Sequence, residues 1–511
     1  MTRTKTRLLI FFTCAACLSM SLFLRYLYVV HMSRNTPIPH SFHEYLPDMS
    51  GEDPLKYIDS DFHVLDGFST NLPIIILDID GELPDYKTFV EGDDGVVYEE
   101  TFDIEPYTTG RIEVIDTGTG VNRLTDTPSY RSNMRIKLRG HTSFIYDKKQ
   151  YLIKLIKEDG LKNQLSLLGM GDGAEWVLNG SMADKSMLRN YLAYRICAEV
   201  MDTAPDCEFC EVVTKEGDSF IYQGVLLLTE SVSRGRTRVN IEPYNQADDY
   251  SSYLIRRDRY TAYDPMLDTW GRLNGYSEEW IGVKYPGKER YDEKIKKFIE
   301  EDYSRVEKVL YSDTFRVYET YDKYIDVQSF ADYFLLNEFF GNYDAGNHST
   351  YMYKPERGRL RMGPVWDFDQ AMDNYFAEAM HTEDLAFQTK PLFDRLTLDL
   401  KFVRQLEKEY NVLRRDTLAE EHVFAVMDEA MAYLKSARVR EWYRWEADYL
   451  DDSGSSLSNY YLQDDLRDGY VLKRMNKYYN DEISVIKNYL HKHGAAMGPD
   501  IRELEELTVF D

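Results

Sequence analysis

Cysteine is scarce, with 5 residues in a chain of 511. Cys14 and Cys17 fall inside an apolar N-terminal run, and of Cys197, Cys207 and Cys210 only the last two form a C-x-x-C pair. So few thiols exclude a disulfide-stapled scaffold, and one pair without a second pair or a nearby histidine is no zinc pattern. A local disulfide and two unpaired small side chains both stay open for it. Positive charge is short as well. Against 61 Lys and Arg stand 88 Asp and Glu, a net charge of −27. No basic excess is available to neutralise phosphates, so nucleic acid is not an expected partner. H-E-x-x-H, G-x-S-x-G and G-x-x-x-x-G-K-[ST] are missing, which removes the zinc-protease, serine-hydrolase and P-loop readings. The 10 histidines show no ligand spacing, and His491-Lys492-His493 reads as a charged tail. No internal repeat or long low-complexity linker breaks the chain.

What is present begins at the N-terminus. Arg3, Lys5 and Arg7 precede the uncharged run Leu8–Leu24; Arg25 interrupts it and Tyr26–Val30 resumes. Basic residues ahead of an apolar stretch mark a signal anchor or a cleaved signal peptide. With Arg25 snorkelling, the two runs reach spanning length. Residues 1–33 are therefore expected to form a transmembrane helix, N-terminus cytoplasmic and main domain outside, with a cleaved secreted form as the alternative. Residues 34–70 are polar and Pro-punctuated, a spacer. The 41 tyrosines suit aromatic packing, and the length suits one two-lobed body with a helical extension.

Strand-like runs follow the spacer: Leu72–Asp80, Arg111–Thr117, Asn133–Gly140 and Gln150–Ile156. An amphipathic helix is predicted over Lys185–Val200, capped by Asp184, with Leu188, Leu192, Ile196 and Val200 at helical spacing. Two further strand-like runs lie at Cys210–Gly217 and Ile221–Glu230. Beyond Tyr303 the pattern is helical apart from one hairpin, and Leu392–His493 is helix-like, charged and without recognisable chemistry.

That hairpin lies in the most informative stretch, Glu338–Asp373. An aromatic helix-like run (Phe330, Tyr333, Phe334, Phe339, Phe340) delivers Asp344 on a short polar loop. Two strand-like runs joined by Glu356-Arg357-Gly358 follow, the second ending in Asp367 and Asp369. Pairing the runs brings the loop carboxylate near the other two, which is how a divalent metal and its phosphate ligand are commonly held. On an extended strand, residues 367 and 369 point the same way. Solvated turn and strand-end acids are the plainer reading of the same residues.

Asn342-Tyr343-Asp344, Tyr351-Met352-Tyr353 and Pro364-Val365-Trp366-Asp367-Phe368-Asp369 resemble the signature of the CotH kinase family, spore coat protein H-like atypical protein kinases. Arg139–Leu155, Trp176–Ile196 and Tyr222–Glu230 resemble its upstream blocks, in family order. The resemblance covers about residues 72 to 375. It implies an α+β, atypical protein-kinase-like two-lobed fold, with a β-rich N-lobe (about 71–240) and a helical C-lobe (core about 241–380, helical extension 381–511). It also implies ATP and Mg²⁺ or Mn²⁺ as cofactors, and Ser or Thr of surface or spore-coat proteins as acceptor.

Roles follow by position in such a fold. Arg139, Thr142 and Ser143 would form the loop over the phosphates, Gly140 permitting close approach. Lys154 would point inward among Tyr151, Ile153 and Leu155 toward a nucleotide phosphate, the alternative being a solvated outward lysine; Lys148 and Lys149 would be more exposed. Thr229-Glu230-Ser231 would be the hinge. The predicted helix holds a single acid, Glu199, near its end, so a helix Glu for Lys154 is not assigned, and Arg189 would meet phosphate or a lobe acid. Asp344 would orient or deprotonate the acceptor hydroxyl or share the metal. Asp367 and Asp369 would bind metal, with Asn347 beside them. Ser349, five residues after Asp344, stands where many CotH-like sequences have Asn, which puts a second metal position in doubt.

Competing patterns are present. Ile74–Leu83 resembles the first motif of haloacid-dehalogenase-type phosphatases, with Asp78 as nucleophile, Asp80 as acid/base and Asp172 or Glu175 on a metal. A strand ending in an Asp-Gly turn explains the same residues. Asn347-His348-Ser349 is a glycosylation sequon that would block the candidate loop, which argues for a bacterial host. A catalytically silent CotH-like surface binding or assembly module remains the alternative function.

Overall fold

The computed structural model describes Met20, Tyr45, Pro47, Asp48 and residues 51–84, 87–91, 97–101, 106–140, 146–180, 182–261, 263–375, 380–449 and 479–510. The expected membrane anchor lies outside them apart from Met20. Among the described residues, no helix is long and apolar enough to cross a membrane.

Seven strands close into a barrel: β1 (Ile74–Ile79), β2 (Thr108–Ile115), β3 (Tyr130–Leu138), β4 (Tyr151–Ile156), β5 (Glu175–Asn179), β6 (Cys207–Glu216) and β7 (Ser219–Glu230). The order is β6-β7-β5-β4-β3-β2-β1. A parallel β6–β1 pair, Glu211 opposite Ile74, closes the ring and leaves no free edge. The two-residue period decides the inside. Met134, Ile136 and Leu138 of β3 and Tyr151, Ile153 and Leu155 of β4 meet Ile75, Leu77 and Trp176 there. Arg135, Lys137, Leu152 and Lys154 are left on the outer face. Ile58 and Phe68, within the expected spacer, pack on Ile74, Ile76, Val213 and Tyr222. Residues 51–70 therefore belong to the barrel's outer layer, because the stretch carries apolar side chains that the barrel can cover.

A second, antiparallel sheet was not foreseen. It runs β9-β10-β8-β11-β12, from β8 (Tyr253–Asp258), β9 (Met266–Leu267), β10 (Trp280–Tyr285), β11 (Thr350–Lys354) and β12 (Arg361–Met362). The expected hairpin is β11–β12, pairing Met352 with Met362.

Helix α1 (Arg189–Cys197) is shorter than predicted and buried on nearly every side. Asp184 still serves its start, accepting the Arg189 backbone N–H at 2.9 Å. After α2 (Glu293–Leu310), α3 (Val327–Phe340) is buried along most of its length, its aromatic and aliphatic residues joined by buried Asp332, Asn337 and Glu338. It begins at Asp326, whose carboxylate takes the Ser329 N–H, and stops at Gly341 in the left-handed region. Helices α4 (Leu400–Leu413), α5 (Glu420–Tyr433), α6 (Ala437–Tyr449) and α7 (Tyr479–Glu503) complete the chain. They divide between the barrel and the helical region. Helix α6 lies on β7, while α7 packs on α3 and α4.

Arg189 binds these parts together. Its fully buried guanidinium lies 2.6 Å from Asp184 and 3.0 Å from Glu482 of α7, and donates to the carbonyls of Ala371 and Met372. Arg189→Met strands two buried carboxylates. It is expected to cost about 3–5 kcal/mol in urea unfolding; a loss below about 1 kcal/mol would show that the triad does not hold α7 to α1.

Candidate active site

Beyond Gly341 the chain turns tightly. Asn342 Nδ2 reaches Asn337 Oδ1 at 3.2 Å and the Trp366 carbonyl at 3.1 Å, tying the end of α3 to the strand-end segment. The Asp344 carbonyl accepts the N–H groups of Asn347 and His348 at 3.1 and 2.8 Å. Buried Arg257 of β8 donates to the Gly346 carbonyl at 3.0 Å and to the Tyr303 hydroxyl. Gly346 has φ 91°, and a Cβ there would stand 2.7 Å from Cβ of Lys390. The lysine stem fills that place, and its Nζ donates to the Tyr343 carbonyl at 2.6 Å. Burial lowers the pKa of Lys390 while Asp344 and then Glu338 pull it back up. The Lys390 amine therefore sits beneath the Asp344 turn.

The second acid pair does not continue a strand. β12 ends at Met362, and Asp367 has φ 67°, so the expected extended geometry for residues 367 and 369 is corrected. Helix α1 sets the bend instead. The Phe368 N–H goes to Asn190 Oδ1 at 2.7 Å and the Asp367 N–H to the Tyr194 hydroxyl at 3.2 Å. Ser349, also left-handed at φ 48°, donates through Oγ to Asp367 Oδ2 at 3.1 Å. The fifth position after Asp344 thus reaches the acid pair, whereas Asn347 sits half-buried in the turn. Burial raises the pKa of Asp367, Arg139 opposes this, and Asp344 adds to it. Asp369 is raised well above the carboxylate range by burial, then by Asp367, Asp184 and Asp344. The three acids share one electrostatic environment.

The facing wall is the outer side of the barrel. Arg139 follows β3, hydrogen-bonds Gln150 at 2.9 Å and lies over the Trp366 ring. Lys154, Arg135 and Lys137 gather around the Tyr107 ring, Lys154 at 4.7 Å. Lys154 is thus on the face opposite Tyr151, Ile153 and Leu155, 40% exposed and 3.7 Å from Glu175. The inward orientation expected for it is corrected by the strand's own period. The lysine that is buried is Lys148, expected to be exposed, which pairs with Glu441 of α6 at 2.6 Å. Lys137 also contributes to holding Asp264 below the ordinary carboxylate range despite burial, after Lys284 and Arg256.

Thr142 and Ser143 lie outside the described residues. Glu230 ends β7 almost fully buried, 3.6 Å from Arg238, with its carboxyl pushed up to about 8 by burial. At the expected hinge the Glu230 N–H is taken by the Asp206 carbonyl and the Ser231 carbonyl by Arg238. Arg189 meets lobe acids, the second of its two expected contacts, and its donors are spent on them and on carbonyls. The phosphatase set does not assemble. Asp78 pairs with Lys215 and Asp80 with Thr109, three strands away from Glu175 in the barrel order, and Asp172 is exposed. Cys207 and Cys210 are free, buried thiols in different core clusters, as an odd offset on a strand requires.

Among the described residues, no three His, Cys, Asp or Glu side chains come together as a ready metal cage. Mg²⁺ does not ask for one. It keeps several waters and takes one or two carboxylates plus substrate phosphates, and two neighbouring, partly buried acids beside a hydroxyl fit that demand. Asn190, Lys137 and Lys390 escaped the sequence reading. Alternation in Met134-Arg135-Ile136-Lys137-Leu138 carried the signal for Lys137; nothing local marked Lys390, which comes from a distant segment.

Because Asp367 and Asp369 are raised in the folded chain, the metal-free fold is favoured at low pH and loses that advantage as pH climbs through their raised values. Asp369→Asn is therefore expected to stabilise the metal-free chain at pH 7 by roughly 1 kcal/mol, to flatten that pH dependence and to weaken Mn²⁺ binding. Denaturant titrations with and without Mn²⁺ check all three.

A family model described as CotH kinase protein matches residues 136–497, from within β3 through the acid loop to α7. A search of curated proteins gave no match. With most of its length matched, the chain belongs to the CotH kinase family.

Proposed function

We propose that this chain is an exported protein kinase, tethered by its N-terminal segment, that transfers the γ-phosphoryl group of ATP to Ser or Thr of surface or spore-coat proteins. The observation that carries the reading is the meeting of Asp344, Asp367 and Asp369 in one partly buried, electrostatically shared environment with Arg139 beside them. Arg139, Lys137 and Lys154 are suited to the phosphate chain, as a cationic face that neutralises it. Asp367 and Asp369 would hold Mg²⁺ or Mn²⁺, which when bound supplies charge neutralisation at the phosphates. Asp344 orients the acceptor hydroxyl and takes its proton as the new O–P bond forms and the bond to ADP breaks. Lys390 keeps the Asp344 turn in place and its surroundings cationic.

One observation favours the silent binding module: Ser349, where many family sequences have Asn, is committed to Asp367. The two readings part on transfer. The full chain is given γ-labelled ATP, Mn²⁺ or Mg²⁺ and a generic acceptor protein. Label transfer is expected from the wild type, with Asp344→Ala and Asp367→Ala each lower by at least ~100-fold, the scale of a lost catalytic acid or base. Metal-dependent ATP binding without transfer to any acceptor would favour the module, and no metal-dependent ATP binding would sink the kinase.

A further inference from the structure

The hairpin that carries the acids has a second end. Asp344 and Ser349 precede β11 and Asp367 follows β12, so they share the open end. The turn end, five residues of β11 away, lies about 15 Å off. A cavity of about 370 Å³ opens there, walled by the hairpin turn on one side and the segment following β7 on the other.

Charges in this cavity balance in number but not in pairing: Asp202, Glu242 and Asp326 stand against Arg236, Arg359 and Arg361, while Arg238 is held by Glu230. Arg361 of β12 engages Asp202 and lies 2.8 Å from Asp326, whose other oxygen caps α3. Glu242 accepts the Glu356 N–H at 3.0 Å. With those acids engaged, Arg236 and Arg359 remain on the rim, exposed and without an ion-pair partner among the described residues. Tyr353 and Pro355 add an apolar side. In a chain of net charge −27, a concave site presenting two uncommitted guanidiniums runs against the surrounding field.

We propose that this cavity is a second ligand site, separate from the acid cluster, for a small molecule bearing a phosphate group. Guanidinium groups bind phosphate oxygens through paired N–H donors, and the volume suits a small metabolite packed on Tyr353. The site owes nothing to the kinase reading, since it needs neither the metal nor the acids.

The test is calorimetric binding of inorganic pyrophosphate to the full chain in EDTA, which removes metal-dependent binding at the acids. Wild type is compared with the Arg236→Ala/Arg359→Ala double substitution and with Asp367→Asn. Saturable binding by the wild type, weakened at least tenfold by the arginine substitutions and unchanged by Asp367→Asn, is expected. Both arginines are exposed, so the double variant keeps the fold, which its melting curve verifies. An unchanged affinity in that variant, loss in Asp367→Asn instead, or no saturable binding by the wild type overturns the site. Failure of the kinase reading shows separately, in label transfer.

Discussion

Two side chains of α1, Asn190 and Tyr194, hold the backbone from which the acids hang. They take the N–H groups of Phe368 and Asp367, the residues at which the chain leaves the extended conformation. Immediately before Asn190 on the same helix, Arg189 grips the carbonyls of Ala371 and Met372. The segment between carries three non-glycine residues at positive φ: Asp367, Met372 and Asp373. Such strain persists where surrounding contacts over-determine it, and here one buried helix supplies them, its Arg189 held in turn by Glu482 of α7. Carboxylates fixed this way need little reorganisation when a cation arrives, which is the condition for electrostatic stabilisation of a transferring phosphoryl group.

Charge is sorted across the cleft more sharply than the composition suggests. A net −27 would by itself repel a nucleotide. Yet β3 places Arg135 and Lys137 on one outer face, with Arg139 continuing the row and Lys154 in register with Arg135 on β4. The acids meet this row at Arg139. A metal-bound triphosphate presents anionic oxygens and a cation together, so it matches both walls at once, whereas either wall alone would favour only half of it.

How much of this the sequence carries depends on how local the signal is. The barrel strands are legible because period-two alternation is a property of each strand alone, as in Tyr151-Leu152-Ile153-Lys154-Leu155. Lys154 points away from Tyr151, Ile153 and Leu155 because adjacent residues on a strand face opposite sides, so its neighbours in sequence are not its surroundings. The second sheet was hidden by Leu254-Ile255-Arg256-Arg257-Asp258, a charged string that reads as surface. Arg257 is nonetheless buried, because Gly346 and Tyr303, far away in sequence, accept its protons. The acid motif was legible as chemistry, but its geometry was not, since the bend at Asp367 is imposed by α1.

The C-terminal helices explain why a stretch without chemistry of its own belongs to the site. Glu441 of α6 pairs with buried Lys148 at 2.6 Å and also accepts the Val225 N–H at 2.7 Å and the Tyr449 hydroxyl. A Cβ on Gly224, at φ 95°, would stand 2.2 Å from that carboxylate, so only glycine lets α6 approach β7 this closely. Arg440 pairs with Glu211 of β6 in the same interface. Buried pairs of this kind seldom add net stability over apolar packing, so their value here is positional. Lys148 ends the connection that leaves β3 at Arg139 and enters β4. Anchoring that end from α6 fixes the register of β4 against β3, and with it the distance between the cationic row and the acids that α1 and α7 hold on the other side.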